Sequence, residues 1–413
     1  MNVELITIGD ELLIGQVVDT NAAWMGQQLN DAGFKVSCKT SIGDVEQDML
    51  AAFDTSFKRS SVVLVTGGIG PTKDDITKGT LCKFFNTSLV LSPEVLANIE
   101  TIFEHTDKVM NPLTHDQAYV PIDCTVIQNK MGTAPITWFE RDGKVLVSMP
   151  GVPYEMKWAM THEILPRLKK QFLQDEYIQH HTLWIKGFTE SALAILLDAF
   201  ESALPAAIKL AYLPTPGLIR LRLSGYYSDE QLLTGWMHKA VAELKALLQD
   251  HVIADEDKSI QELIGVLLQK KGMMLCTAES CTGGKIAEMI TSVAGSSSYF
   301  AGGVVSYSNA VKHQLLGVRN ETLEAYGAVS KEVVEEMVLG AQKALGCACA
   351  ISVSGIAGPT GGTTEKPVGS VWISVACNDK IHTELFRFGK NREQNIQRSA
   401  NMSLLMLKGL LDN

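Results

Sequence analysis

Three side chains between residues 280 and 312 have the types and spacing for covalent chemistry. Ser280 offers a hydroxyl at the end of an apolar run and just ahead of the pair Gly283-Gly284, and Tyr307 and Lys312 follow at the end of the next strand-like run. A serine hydroxyl is a weak nucleophile until a base removes its proton. The nearest histidine is His313 and no Ser-His-Asp set accompanies Ser280, so the base expected here is a lysine. A lysine serves when desolvation or another cation lowers its pKa. The apolar run before Tyr307, with Ala310-Val311 after it, supplies that setting, and Tyr307 then relays a proton or holds Lys312. A helix starting near Thr282-Gly283-Gly284 offers free N–H groups and a positive dipole end to an oxyanion or a phosphate. Lys285 is a rival base one helical turn beyond. The same residues also read as plain structure, with Ser280 or Thr282 capping a helix, Lys312 solvated and Tyr307 a strand aromatic.

A second region carries phosphate chemistry. Thr66-Gly67-Gly68-Ile69-Gly70-Pro71 follows an apolar run and leads through Asp74-Asp75-Ile76-Thr77 into a helix. Backbone N–H groups of such a turn cradle phosphate, and Asp74 or Asp75 can hold a divalent ion, with Asp10 and Glu11 as further ligands. No Gly-Lys-Ser/Thr follows, so this is not a Walker A loop, and it is not GxGxxG. A glycine turn with acidic residues stabilising a helix dipole accounts for the pattern equally well. A third loop, Gly355 to Gly369, follows a buried strand, where ligands of open sheets gather. Arg392 opens the last helix as an anion contact or as an exposed arginine.

The elements that must position these groups alternate. Val3–Ile8, Phe34–Lys39 and Val62–Thr66 read as strands, and helices are expected from Thr20 or Asn21 to Gly33, over 45–58, and after the glycine turn with Asp74, Asp75 and Thr77 at its start. That order implies a mostly parallel sheet covered by helices. Residues 171–256 read as a small α+β unit broken by Pro205, Pro214 and Pro216, with His180-His181 taken as surface histidines. From residue 257 the β/α alternation returns: a helix over 259–270, strands at Met273–Ala278, Val304–Tyr307 and Ala348–Val353, a helix capped by Ser330 and closed by Gly346, strands at Val371–Ala376 and Ile381–Phe388, and a last helix from Arg392. The fold class expected is therefore α/β, in three domains over 1–170, 171–256 and 257–413.

Bulk properties narrow the function. With 46% hydrophobic and 20% charged residues the chain matches an ordinary globular protein. A formal charge of −10 disfavours broad phosphate-backbone binding. The N-terminus lacks signal-peptide character and no apolar run is long enough to span a membrane. Eight cysteines without a CxxC pair are expected as reduced thiols in a cytoplasmic protein.

These motifs together resemble the CinA (competence/damage-inducible) family across nearly the whole chain. Gly9-Asp10-Glu11-Leu12-Leu13, Asp19-Thr20-Asn21, the Thr66–Thr77 stretch and Pro150-Gly151-Val152-Pro153 are similar to the molybdopterin-binding, MoaB/MogA-like fold. In CinA-type proteins the resemblance implies a metal-dependent ADP-ribose pyrophosphatase, with phosphate at Gly67, Gly68 and Gly70 and a divalent metal at Asp75 and Asp10. Ala278–Gly284, Tyr307, Lys312 and Ser354–Pro359 resemble the nicotinamide-nucleotide amidase domain, which deamidates nicotinamide mononucleotide (NMN) without a cofactor. That likeness implies Ser280 as nucleophile, Lys312 and Tyr307 as its catalytic partners, and substrate contacts from Thr282, Gly283, Gly284, Ser354 and Gly355, to which Arg392 is added as the anion contact read above. The family's middle segment is KH-like. Here it has no Gly-x-x-Gly loop and carries six Lys/Arg against eleven Asp/Glu over 171–256, so linking or homodimerisation fits better than RNA binding. Pterin adenylyl transfer by the front domain and a non-enzymatic, nucleotide-regulated partner-binding role in DNA uptake or repair are the alternatives.

Overall fold

The computed structural model describes residues 2–104, 109–173 and 177–412. Its strands, in chain order, are β1 (Asn2–Ile8), β2 (Lys35–Ile42), β3 (Val62–Thr66), β4 (Leu89–Leu91), β5 (Tyr119–Pro121), β6 (Thr125–Ile127), β7 (Ile136–Arg141), β8 (Lys144–Met149), β9 (Tyr177–Ile185), β10 (Ile208–Thr215), β11 (Leu218–Tyr227), β12 (Val252–Ala254), β13 (Leu275–Glu279), β14 (Phe300–Val305), β15 (Cys349–Gly355), β16 (Ser370–Cys377) and β17 (Lys380–Arg387). Contacts divide the chain into two compact units, Met1–His180 with Gly225–Thr234, and His181–Ser224 with Gly235–Asn413.

The first unit is built on the six-stranded sheet β2-β1-β3-β8-β7-β6. Its β2-β1-β3-β8 portion is parallel, as the helical crossovers require, and β7 and β6 add antiparallel strands at one side. β3 is buried on both faces, which its unbroken Val-Val-Leu-Val run demands. Apolar clusters around Met25, Leu29 and Met160 on one face and Phe53, Phe57 and Leu81 on the other complete a three-layer core. The helix Thr20–Asp31 is capped by the Asp19 carboxylate, which accepts from the Ala22 amide, and not by Thr20 or Asn21. The helix after the glycine turn begins only at Thr77; Asp74 and Asp75 precede it in the turn.

Residues 177–254 contribute the sheet β10-β11-β9-β12. Pro214 does not interrupt β10, and His180 and His181 are half-buried on β9 rather than at the surface, with His181 Nε2 3.4 Å from Asp255.

The C-terminal sheet has the order β14-β13-β15-β16-β17, parallel from β14 to β15 and antiparallel beyond. The helices Ile260–Lys271 and Arg392–Asp412 cover one face around Leu268, Ile351 and Leu407. The helix Lys331–Leu345, capped by Ser330 and ended by Gly346, covers the other. β13 and β15 both point their carboxyl ends at the Ser280 turn. The strand expected to end at Tyr307 ends at Val305, and two unforeseen helices, Asn309–Leu316 and Asn320–Tyr326, follow. Among the described residues no helix is long and apolar enough to cross a membrane.

Candidate active sites

Ser280 leaves β13 with its amide donating to the Val353 carbonyl at 3.0 Å, so the end of β15 fixes its backbone. Lys312 lies in the first turn of the helix Asn309–Leu316, which Ser308 caps at Val311. That turn folds the lysine inward. Its side chain is 1% exposed, its Nζ lies 3.0 Å from Ser280 Oγ and it donates to the Ser306 carbonyl at 2.7 Å. Burial lowers the pKa of this amine. The neighbouring Glu279 carboxylate does not oppose that shift, being turned to the amides of Gly284, Ile286 and Ala287 at 2.9–3.1 Å.

Four expectations are corrected at this site. The helix near Ser280 starts at Lys285, and its leading amides are satisfied by Glu279, so its positive end is not free for a ligand. Thr282, Gly283 and Gly284 do not line the cavity beside Ser280: Thr282 is buried, and the Gly283 amide donates to the Ser280 carbonyl. The amides of Cys281 and Thr282 have no acceptor among the described residues. Lys285 pairs with Glu288 at 2.7 Å and is not a rival base. Nor does Tyr307 hold Lys312. It is 64% exposed, with its hydroxyl 3.5 Å from Arg392 Nη2.

The cavity over Ser280 and Lys312 measures about 290 Å³ and reaches Tyr307, Asn309, Gly355 and Arg392. Arg392 is steadied by the Gly358 carbonyl at 2.9 Å, which leaves a guanidinium edge at the rim. Ser354 is buried and gives its hydroxyl to the Ala328 carbonyl at 2.6 Å, so it shapes the wall and keeps no free hydroxyl proton for a ligand. Asn309, Ser306 and Glu279 were not singled out in the sequence. Glu279 stands inside Ala278–Gly284 and was legible as a carboxylate just before a helix start; the other two carried no signal.

In the front unit a cavity of about 310 Å³ is lined by Gly67, Gly68 and Gly70 along with Asp75, Glu11 and Glu155. Gly67 has φ of 108°, and a Cβ there would collide with the Ile8 carbonyl, so only glycine lets β3 turn so close to β1. The Asp75 carboxylate accepts from the Thr72 amide at 2.9 Å and from its hydroxyl. Asp10 does not line this cavity. Its carboxylate accepts from the Asp44 amide while Asp44 accepts from the Asp10 amide, each at 3.2 Å. Burial, with Asp10, Glu11 and Asp74 nearby, raises the Asp44 pKa. Glu155, missed in the sequence, is buried against Asn129 Nδ2 at 2.7 Å, and burial raises its pKa too. Among the described residues no group of three or more His, Cys, Asp or Glu is placed to hold a metal.

Residues 4–170 match a probable molybdopterin binding domain, and residues 257–411 match the CinA C-terminal domain. A CinA-like protein of Cytophaga hutchinsonii is 42% identical over 397 residues, 96% of this chain and 95% of its own. A putative competence-damage inducible protein of Caldicellulosiruptor saccharolyticus is 37% identical over 415 residues, the full length of both. The solved competence/damage inducible protein CihA of Agrobacterium tumefaciens is 38% identical, with a TM-score of 0.36 over 37% of this chain and 96% of that one. The class is thus a MoaB/MogA-like α/β domain joined in one chain to a CinA-type C-terminal domain. The chain belongs to the CinA family.

Proposed function

We propose that the C-terminal site is a serine amidase that deamidates NMN, yielding nicotinate mononucleotide and ammonia. The observation that carries this reading is the buried Lys312 amine 3.0 Å from Ser280 Oγ, with no carboxylate among the described residues paired to it. A neutral amine there accepts the serine proton as Oγ attacks the carboxamide carbon, while one of its N–H groups stays on the Ser306 carbonyl. The Cys281 amide, which borders the cavity, is the donor left for the tetrahedral oxyanion. The Lys312 ammonium returns the proton to the departing nitrogen, and ammonia leaves. Water, deprotonated by the same amine, then cleaves the acyl-enzyme. The Arg392 guanidinium at the rim suits the nucleotide phosphate. Purified protein incubated with NMN and no added metal should release ammonia, and Ser280→Ala should release none. Equal release from the two would overturn the mechanism.

The front cavity supports a second activity, hydrolysis of ADP-ribose to AMP and ribose 5-phosphate. Its glycine turn offers backbone amides to a diphosphate beside the Asp75 carboxylate. A dedicated all-protein metal cage is not what these residues make; one or two carboxylates completed by water and substrate phosphates is the usual magnesium arrangement, and Asp75 with Glu11 fits it. Such an ion would neutralise phosphate charge there.

A further inference from the structure

Away from both cavities, sulfur gathers at the end of the C-terminal sheet remote from Ser280. Cys349 opens β15 and Cys377 closes β16, and the two are opposite partners in the antiparallel ladder. The Cys349 amide donates to the Met274 carbonyl at 2.9 Å, on the β13 side, while the Asn378 amide donates to the Ala348 carbonyl at 2.7 Å. Cys349 and Cys377 are therefore a pair that exchanges no backbone hydrogen bonds, the kind in which side chains approach most closely. Opposite Cα atoms of such a pair stand about 4.5 Å apart, within the range that a disulfide spans.

The next pairs along the same face are aliphatic, Ile351 with Val375 and Val353 with Ile373. At the sheet end two free thiols stand in their place, with Sγ atoms 2.6 Å apart. The Met273 thioether lies against both, 3.8 Å from Cys349 Sγ and 3.7 Å from Cys377 Sγ. Cys276 and Cys347 pack on the opposite face, and each donates to a backbone carbonyl. Cys349 is fully buried, whereas Cys377 keeps 6% exposure as the last residue before the turn Asn378-Asp379.

We infer that Cys349 and Cys377 form a reversible redox modification site, closed to a cross-strand disulfide by hydrogen peroxide. Peroxide is little larger than water and carries no charge, so it suits a thiol at a narrow opening. Burial raises the Cys349 thiol pKa, which leaves Cys377 as the sulfur that reacts first. The Cys377 thiolate attacks one peroxide oxygen, the O–O bond breaks, and a sulfenic acid and hydroxide result. Cys349 sulfur then attacks Cys377 sulfur, the S–O bond breaks, and the departing hydroxide takes the Cys349 proton as water. Two thiols are oxidised and one peroxide is reduced to two waters. A small dithiol reverses the bond by exchange. The disulfide ties the root of the arch from β15 to β16, whose loop carries Gly355 and Gly358 to the cavity over Ser280. The inference is independent of the reactions proposed above.

The test is peptide mapping of the full-length chain. Reduced protein is treated with hydrogen peroxide while folded, then unfolded in guanidinium with iodoacetamide, digested without reductant and analysed by mass spectrometry. The alkylated thiols should fall from the eight of the sequence to about six, two being lost to one bond. The peptides carrying Cys349 and Cys377 should be joined, and dithiothreitol should separate them again. Cys276→Ser should leave that joined peptide in place. Cys377→Ser and Cys349→Val should each abolish it, with cooperative urea unfolding reporting that both variants are folded. Eight alkylated thiols after peroxide treatment would overturn the inference. So would a Cys349 or Cys377 joined to another cysteine, or sulfinic and sulfonic acids at these positions with no joined peptide.

Discussion

The two candidate sites start from the same device and diverge in what surrounds it. Each lies where a buried parallel strand, β3 or β13, runs out into a glycine-containing turn ahead of a helix. At the front, acids gather at the turn: Asp75 and Glu11 line the cavity. At the back, the acid that precedes Ser280 in the chain is consumed. Glu279 turns away to cap the following helix, and an uncompensated lysine is left against a serine. Carboxylates suit a cation and phosphates, whereas a lysine stripped of counter-charge suits proton abstraction. Placement of a few carboxylates, rather than the fold around them, separates the two chemistries.

The sharpest way to break this division is at the nucleophile. Ser280→Ala should lower NMN deamidation by about 10³-fold or more, since removing a covalent nucleophile leaves only binding and oxyanion stabilisation. ADP-ribose hydrolysis should be unchanged. A parallel loss of both activities would show that the sites are not independent. Next comes the base: Lys312→Met should cost about 10²–10⁴-fold in kcat, the range for general-base catalysis. In the wild type the active amine is neutral, so kcat/KM should fall as pH drops through the lowered Lys312 pKa. A rate that climbs instead toward low pH would mean that the protonated form is the active one. The converse test lies at the front, where Asp75→Ala should reduce AMP release by about 10²-fold, a few kcal/mol of lost charge stabilisation, with ammonia release from NMN intact.

Much of this contrast was legible in the residues, and the parts that were not share a cause. The strands around Val62–Thr66 and Ala348–Val353 declared themselves by unbroken apolar runs, and Ser330 and Gly346 marked a helix at both ends. Ser280 and Lys312 were readable as a pair because a strand end and a following polar turn gave each a place. Local pattern cannot show which partner a polar group takes through space. Glu279 reaches five to eight residues forward to the amides of Gly284, Ile286 and Ala287, and so the helix end that looked open to an oxyanion is closed. Asp10 looked like a metal ligand from its position after β1, but pairs with Asp44, thirty-four residues on. Gln117 and Glu155 carry no motif at all and reach the front cavity only through tertiary packing.

The Glu279 contact predicts a stability effect of its own. Glu279→Leu removes the acceptor of three amides at a buried helix start, and should lower unfolding stability by about 3 kcal/mol, measured from the denaturant midpoint. Deamidation should fall as well, because the Ser280 turn lies between the strand end and those amides. Full stability with full activity would mean that water replaces the carboxylate at no cost, and that its role in clearing charge from Lys312 is dispensable.

The smallest effect follows from the sign of the Lys312 shift. Its native pKa lies below the ordinary lysine value, because burial disfavours the ammonium. Between the native value and the unfolded value of about 10.4, the unfolded chain binds a proton that the native chain does not. Protons therefore favour the unfolded state in that window, and stability contributed at this position rises with pH, by at most about 1.4 kcal/mol per pH unit. Below the native pKa both states are protonated, and the cost of burying the charge is constant and full. Lys312→Met carries no such proton. Urea unfolding of wild type and Lys312→Met at several pH values should show the wild-type curve gaining on the variant as pH rises toward 10. Parallel curves would place the amine in contact with water or an unseen counter-charge. The back site would then lose the feature that distinguishes it from the front, a base whose charge burial disfavours with no carboxylate among the described residues paired to it.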